Sequence, residues 1–391
     1  MFGAIYIGLS GLNAYSQGLQ QVSNNVTNLN TTGFKASTVS FRSFYGAEQQ
    51  GGVNYNPDSN NAGHGVGVGE QLLDMGEGEL RQTDRDLDLA VDGKAFLVLI
   101  NGSDVRYTHT GSFELDQDGY LVLSGTKFRL ATLDSANHPQ TVSIDSQRTS
   151  APKATTTIKF ANNLSLTPTT PVSVSDLTVY DASGASHVWK VTFTKDTGTD
   201  FKVTVTDDKG VTSASQTLTF QTGGGLANPT TAKLDFTDST GASATLDFST
   251  VTSFSAGDAS SISSASIDGW GLGSLSSVAV NDKGRLELSY SNKQKVELGP
   301  IALADFRDVR ALKQESGGLF KADAASDRRL LASGEPGTGK VLGKRLEASN
   351  VNLSDEFGQL ILIQRGFQAS SQIVSVSNDM IQQLFGIRGQ G

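Results

Sequence analysis

The first thirty-four residues of this chain carry no charged side chain; Lys35 is the first. Asn13, Gln17, Gln20, Gln21, Asn24, Asn25 and Asn28 interrupt the stretch, so it is too polar to sit in a bilayer. Its apolar residues fall on a heptad instead. Leu12, Tyr15, Leu19, Val22, Val26 and Leu29 are spaced 3-4-3-4-3, the seam of a coiled coil. The far end answers with Leu353, Phe357, Leu360, Phe367, Val374, Ile381 and Phe385 on a seam of the same kind. Both ends therefore read as helices that need helical partners. Gly8, Gly11 and Gly18 cost the first helix about 1 kcal/mol each relative to Ala. Such a helix is ordered mainly by packing against its neighbours.

The C-terminal pattern has two phases. One holds Leu353, Leu360, Phe367, Val374 and Ile381; the other holds Phe357, Gln364, Ser371, Asn378 and Phe385. A polar residue every seventh position either sets register and partner number or faces water or a pore.

Between the helices the pattern changes. Residues 35–70 are rich in Gly, Asn and Ser and read as an irregular, extended connector. From about residue 71, period-two alternation with turns at Asp92-Gly93, Asn101-Gly102 and Asp118-Gly119 predicts hairpins. Residues 153–270 are dominated by Thr and Ser, with strict alternation in Trp189, Val191, Phe193 and again in Phe201, Val203, Val205. That is an antiparallel sheet with one wet face. The fold class expected is α+β, mainly β. Paired terminal coiled-coil helices span 1–34 and 346–391. A discontinuous inner β domain spans 71–152 and 274–345, and an antiparallel β-sandwich or barrel is inserted at 153–273. Nesting places the two ends together, as paired helices require.

Composition excludes several functions. The net charge is −9 with no basic stripe, which argues against nucleic acid. There is no cysteine, hence no disulfide or thiolate metal site. No apolar run is long enough to span a bilayer, and the start lacks the features of a cleaved signal peptide. Gly334-Glu335-Pro336-Gly337-Thr338-Gly339-Lys340 spells a phosphate-binding loop, but Val341 stands where a magnesium-holding Ser or Thr is needed. It reads as a turn. Asp116-Gln117-Asp118-Gly119 reads as a hairpin, because Lys127 occupies the position of a calcium-loop glutamate. Asp86, Asp88 and Asp92 read as the solvated face of a strand. His64, His109, His138 and His187 have no metal-ligand spacing. No catalytic residue, metal site or cofactor is expected.

Four blocks carry a family resemblance. Ser23 to Lys35, with Asn24, Asn25, Asn28, Thr32, Gly33, Phe34 and Lys35, resembles the N-terminal signature of bacterial flagellar rod and hook axial proteins. Leu80–Thr83 with Leu87–Gly93, then Tyr107–Asp116 with Asp118–Val122, resemble the next two blocks. Leu346–Leu353 with Gln364–Ala369 resembles the last. Residues 153–270 lie outside these blocks. Within the family the insert, and the stretch from Tyr290-Ser291-Asn292 through Leu298–Ala304, resemble the hook type; a distal rod type is the alternative. The resemblance implies a homopolymer: a bendable tube that passes torque from rod to filament. It also implies contacts with the distal rod protein, the hook–filament junction protein, the hook cap protein and the flagellar type III export apparatus. The location implied is the extracellular flagellum. Readings from other classes are a secreted Ser/Thr-rich adhesin and a polysaccharide-active enzyme, the latter lacking converging carboxylates.

Overall fold

The computed structural model describes residues 2–43, 65–323 and 327–388. The chain divides into two compact units. One comprises Met1–Asp145, Val278–Glu287 and Glu297–Gly391; the other comprises Ser146–Ser277 and Leu288–Val296.

The first unit holds both helices, α1 (Phe2–Thr27) and α2 (Leu353–Arg388). Asn352 starts α2: its Oδ1 accepts the Ser354 N–H at 3.0 Å, and the exposed Asp355 places negative charge in the first turn. Strands Ser37–Ser43 and Val66–Leu73 pair antiparallel. Both ends of the expected irregular connector are thus regular, because Val39, Phe41, Val66 and Val68 supply β-branched and aromatic residues among the Gly and Ser. The middle of that connector, and His64, lie outside the described residues.

A twelve-stranded sheet forms the body of this unit. Phe96–Asn101 is its centre, pairing with Asp104–Thr108, Arg129–Leu133 and Ala302–Phe306. Lys340–Gly343 adds to Asp88–Asp92, and Arg345–Glu347 adds to Leu80–Gln82. Late strands therefore join early ones at several points, with the pair of Leu80–Gln82 and Arg345–Glu347 forming a separate two-stranded sheet. The last of these lies in the region expected to be helical, and α2 begins only after it. Phe96, Tyr107, Phe306 and Phe320 pack edge to face in the core. Asp88 is not on a solvated face: it is buried and accepts the Ser112 hydroxyl at 2.5 Å. The Gly334–Lys340 loop is a closed turn, its Gly334 N–H donating to Gly339 O at 2.9 Å.

The second unit has two four-stranded sheets. One is an antiparallel meander of Val172–Tyr180, Ser186–Lys195, Asp200–Thr206 and Thr212–Thr219. The other has the order Lys233–Thr237, Ser243–Thr252, Thr157–Asn163, Ser263–Ile267. Here the antiparallel expectation fails at one pair, since Thr157–Asn163 runs parallel to Ser243–Thr252. The long intervening chain permits that crossover. Trp189, Val191, Phe193, Phe201, Val203 and Val205 are all fully buried and share one core with Phe160 and Phe248. Residues 288–296 belong to this unit rather than to the inner domain. The Tyr290 hydroxyl donates to Gln147 O at 2.8 Å and the Asn292 amide to Gly271 O at 2.9 Å.

Candidate assembly surface of the terminal helices

α1 and α2 touch along a seam of small and amide residues. On α1 the buried positions are Gly8, Gly11, Ala14, Gly18, Gln21, Val22 and Asn25. A Cβ on Gly8 would lie 2.7 Å from Val374 Cγ2, and one on Gly11 would lie 2.5 Å from Ser370 Oγ. On α2 a Cβ at Gly366 would run into the Tyr15 ring. At these glycines atoms of the facing helix, side chains of Val374, Ser370 and Tyr15 and at Gly8 also the Ser370 carbonyl, fill the space a side chain would need. Their cost in helix propensity is offset by that contact.

The apolar heptad of α1 therefore lies largely beside the seam. Val22 is buried; Leu12, Tyr15, Val26 and Leu29 are half-buried; Leu19 is 38% exposed. On α2 the buried residues are Glu356, Ile363, Ser370 and Ser377, with Leu360, Val374 and Ile381 half-buried. Leu353 and Phe367 are exposed despite belonging to the same heptad phase. The other phase, Phe357, Gln364, Ser371, Asn378 and Phe385, is exposed throughout. It sits one residue away from the buried set 356, 363, 370, 377. Hydropathy missed that set because serine and glutamate mark it. The recurrence of Ser370 and Ser377, with Gly366 nearby, is the signal that could have found it.

The resulting outward surface is apolar. Tyr6, Ile7 and Leu9 on α1, and Ile361, Leu362 and Phe367 on α2, all present large side chains to solvent. A groove of about 470 Å³ runs between α1 and Val66–Leu73, lined by Tyr6, Leu9, Asn13, Gln17 and Val68.

The signature residues tie the helices to the sheet. Asn25 is 1% exposed. Its Oδ1 accepts the Ser37 N–H at 3.1 Å, while its Nδ2 donates to Ser37 O and to Glu356 Oε1, both at 2.8 Å. It thus joins α1, the first strand and α2. Gln21 also donates to the Ser37 hydroxyl. Asn28 Nδ2 donates to Asn24 O at 2.8 Å, and Asn28 Oδ1 accepts from the exposed Thr31, so α1 ends on its own amides. Thr32 is exposed and Phe34 half-buried. Gly33 turns with φ of 67°, and its N–H donates to Glu347 O at 2.8 Å.

Lys35 is fully buried. Its Nζ donates to Glu347 Oε1 and to Gly76 O, each at 2.8 Å. The Gly78 N–H also donates to Glu347 Oε1, at 2.6 Å, and His109 Nδ1 stands 3.5 Å from Oε2. Burial pushes the Glu347 carboxyl up, but His109, the Lys35 charge and the Gly78 amide outweigh it and hold it at about 2.

Among the described residues no three His, Cys, Asp or Glu side chains are grouped to hold a metal, and no helix is long and apolar enough to cross a membrane.

Three family models match. Residues 5–35 match the flagella basal body rod protein, and residues 343–387 match the flagellar basal body rod FlgEFG protein C-terminal. Residues 154–270 match the flagellar basal body protein FlaE D2 domain. The Thr/Ser-rich segment, outside the blocks recognised in the sequence, is therefore itself a domain of the family. The flagellar hook protein FlgE of Salmonella typhimurium is 31% identical over 417 residues, covering 97% of this chain and 98% of its own. That of Escherichia coli K12 is 30% identical over 410 residues, with the same coverage. That of Borreliella burgdorferi is 26% identical, covering 99% of this chain and all of its own. The crystal structure of Helicobacter pylori flagellar hook protein FlgE2 aligns with 68% of this chain and 99% of its own, at 12% identity and a TM-score of 0.45. On the near full-length match to the Salmonella protein, this chain belongs to the flagellar hook protein family.

Proposed function

We infer that this chain is the structural subunit of a bacterial flagellar hook, self-assembling into a bendable helical tube that passes torque from rod to filament. The family is one of structural proteins, not of enzymes. The terminal helices build the wall of the tube, supercoiled with those of neighbouring copies, and the outer unit, two sheets closed over one core as a sandwich, supplies contacts between subunits farther out. Contacts that do not close into a ring propagate as a filament. The partners are other copies of this chain, with the distal rod protein below, the junction protein above, the cap during growth and the type III apparatus for export without a cleaved signal.

One observation carries the assignment of the helices. The α1–α2 seam consumes the small and amide residues and leaves Leu19, Ile361, Leu362 and Phe367 facing out. Large apolar surfaces of that kind mark interfaces. Leu19→Asp and Phe367→Asp place a charge on that surface without entering the seam. The monomer should keep its circular dichroism and melting behaviour, and tube formation, scored by electron microscopy, should be lost. Normal tubes from both variants would remove this surface from the assembly contact.

A further inference from the structure

Among the described residues, Glu356 is the only acidic side chain buried against α1, and no cation is paired with it. It is 5% exposed. Oε1 accepts the Asn25 amide at 2.8 Å, while Oε2 is buried with no hydrogen-bond partner. The charges on the surrounding elements do not answer it. α1 contributes none. On Ser37–Ser43 the charge is Arg42, which pairs in register with Gly67, far from Ser37, and the facing strand offers Glu70, another acid. Lys35 is committed to Glu347 at 2.8 Å. On α2 itself the neighbour is Asp355; Arg365 and Asp379 are exposed farther along. A buried carboxylate with one neutral donor and no countercharge carries a large desolvation cost that a carboxylic acid does not.

We propose that Glu356 is a proton-operated latch: with the carboxyl protonated α2 stays docked on α1, and with it ionised the docked pair loosens. The proton comes from solvent and returns to it; no bond other than O–H is made or broken. Burial raises this carboxyl above the ordinary 4.5; the Asn25 hydrogen bond works against the rise and Asp355 adds to it. For a group raised in the docked state, the stabilisation is fully present below 4.5 and is lost as pH rises through the docked value. This is opposite in sign to Glu347, whose stabilisation is lost in acid. The consequence is a subunit whose end helices hold each other more firmly in acid while the sheet below them loses its anchor only at still lower pH.

The latch concerns the helices that the functional reading assigns to the tube wall, so it is tested on the full-length monomer, where failure to polymerise does not enter. Amide hydrogen exchange of α1 and of the first turns of α2 is followed from pH 4 to 8 and corrected for intrinsic exchange. Protection should fall up to about tenfold per pH unit within the window that opens near 4.5, the limit for one proton. Glu356→Gln should flatten the profile and be protected at neutral pH at least as well as the parent protein is in acid. Asn25→Asp adds a second carboxyl beside the first and should move the loss of protection to higher pH. A Glu356→Gln profile that keeps the parent pH dependence, or helices unprotected at every pH in the parent, would overturn the proposal. So would an Asn25→Asp protein with an unmoved midpoint, even if Glu356→Gln failed to fold.

Discussion

Replacing Glu347 by Gln tests how the signature loop is held to the sheet. The carboxylate accepts two hydrogen bonds at Oε1, from Lys35 Nζ at 2.8 Å and the Gly78 N–H at 2.6 Å. It is also the anion paired with Lys35, a lysine that is fully buried. Removing one member of such a pair leaves an uncompensated charge, which costs about 3–5 kcal/mol. The neutral amide of Gln recovers part of one hydrogen bond, so the lower half of that range is expected. Lys35→Met alone should cost a similar amount, because it strands the carboxylate. The double variant removes both charges together and should be less destabilised than the sum of the singles by about 2 kcal/mol or more. The molecule supplies its own control. Both tryptophans, Trp189 and Trp270, lie in the second unit, so their fluorescence in urea follows that unit alone. Helical circular dichroism follows the first unit, where both helices lie. The Glu347→Gln transition should move in dichroism and stay put in fluorescence. A loss under about 1 kcal/mol, or strict additivity in the double variant, would refute the claim that this pair anchors the loop.

Two further outcomes follow from the same geometry. Gly11→Leu forces bulk where even a Cβ would meet Ser370 at 2.5 Å, so proteolysis should trim both helices faster, a loss of about 1–3 kcal/mol; Gly3→Ala, with nothing within 4 Å, should instead gain about 0.5–1 kcal/mol of helix stability. In acid, Glu347 is held below its ordinary value, so its stabilisation is present above about pH 4.5 and lost as pH falls toward about 2. Asp181, lowered chiefly by the Ser183 hydroxyl to about 2, gives the second unit the same sign of dependence. Dichroism and fluorescence should both report unfolding below pH 4; on the alkaline side fluorescence should stay flat, and any change should be confined to the helices docked at Glu356.

How far the fold was legible depended on whether hydrophobicity marked the buried side. In the second unit it did: Trp189, Val191 and Phe193 alternate in the chain and are buried in space. The helices themselves followed from their heptads, but the phase of their contact did not. Gly8, Gly11 and Ser370 are inside while Leu19 and Phe367 are outside, because close backbone approach selects for small size, not for apolarity. Lys35 illustrates the other limit. A lone lysine after a chargeless stretch reads as the start of the solvated chain, and only its distant partner Glu347 makes it a core residue. The strands at Ser37–Ser43 and Val66–Leu73 were hidden by glycines and serines that a two-stranded hairpin tolerates.

The pairing of late strands with early ones in the first unit governs when that unit can form. Lys35 must meet Glu347, 312 residues away, and Asn25 must meet Glu356, 331 residues away. Closing a loop of that length costs about 5 kcal/mol in chain entropy before any contact repays it. Folding dominated by such separations is slow. Lys340–Gly343, Arg345–Glu347 and α2 complete structures begun at the opposite end. The first unit cannot close until residues from both ends of the chain are free to pair. The second unit, whose strands lie between Ser146 and Val296, meets its partners much sooner. Connectivity alone thus delays the final fold until both ends of the chain are available.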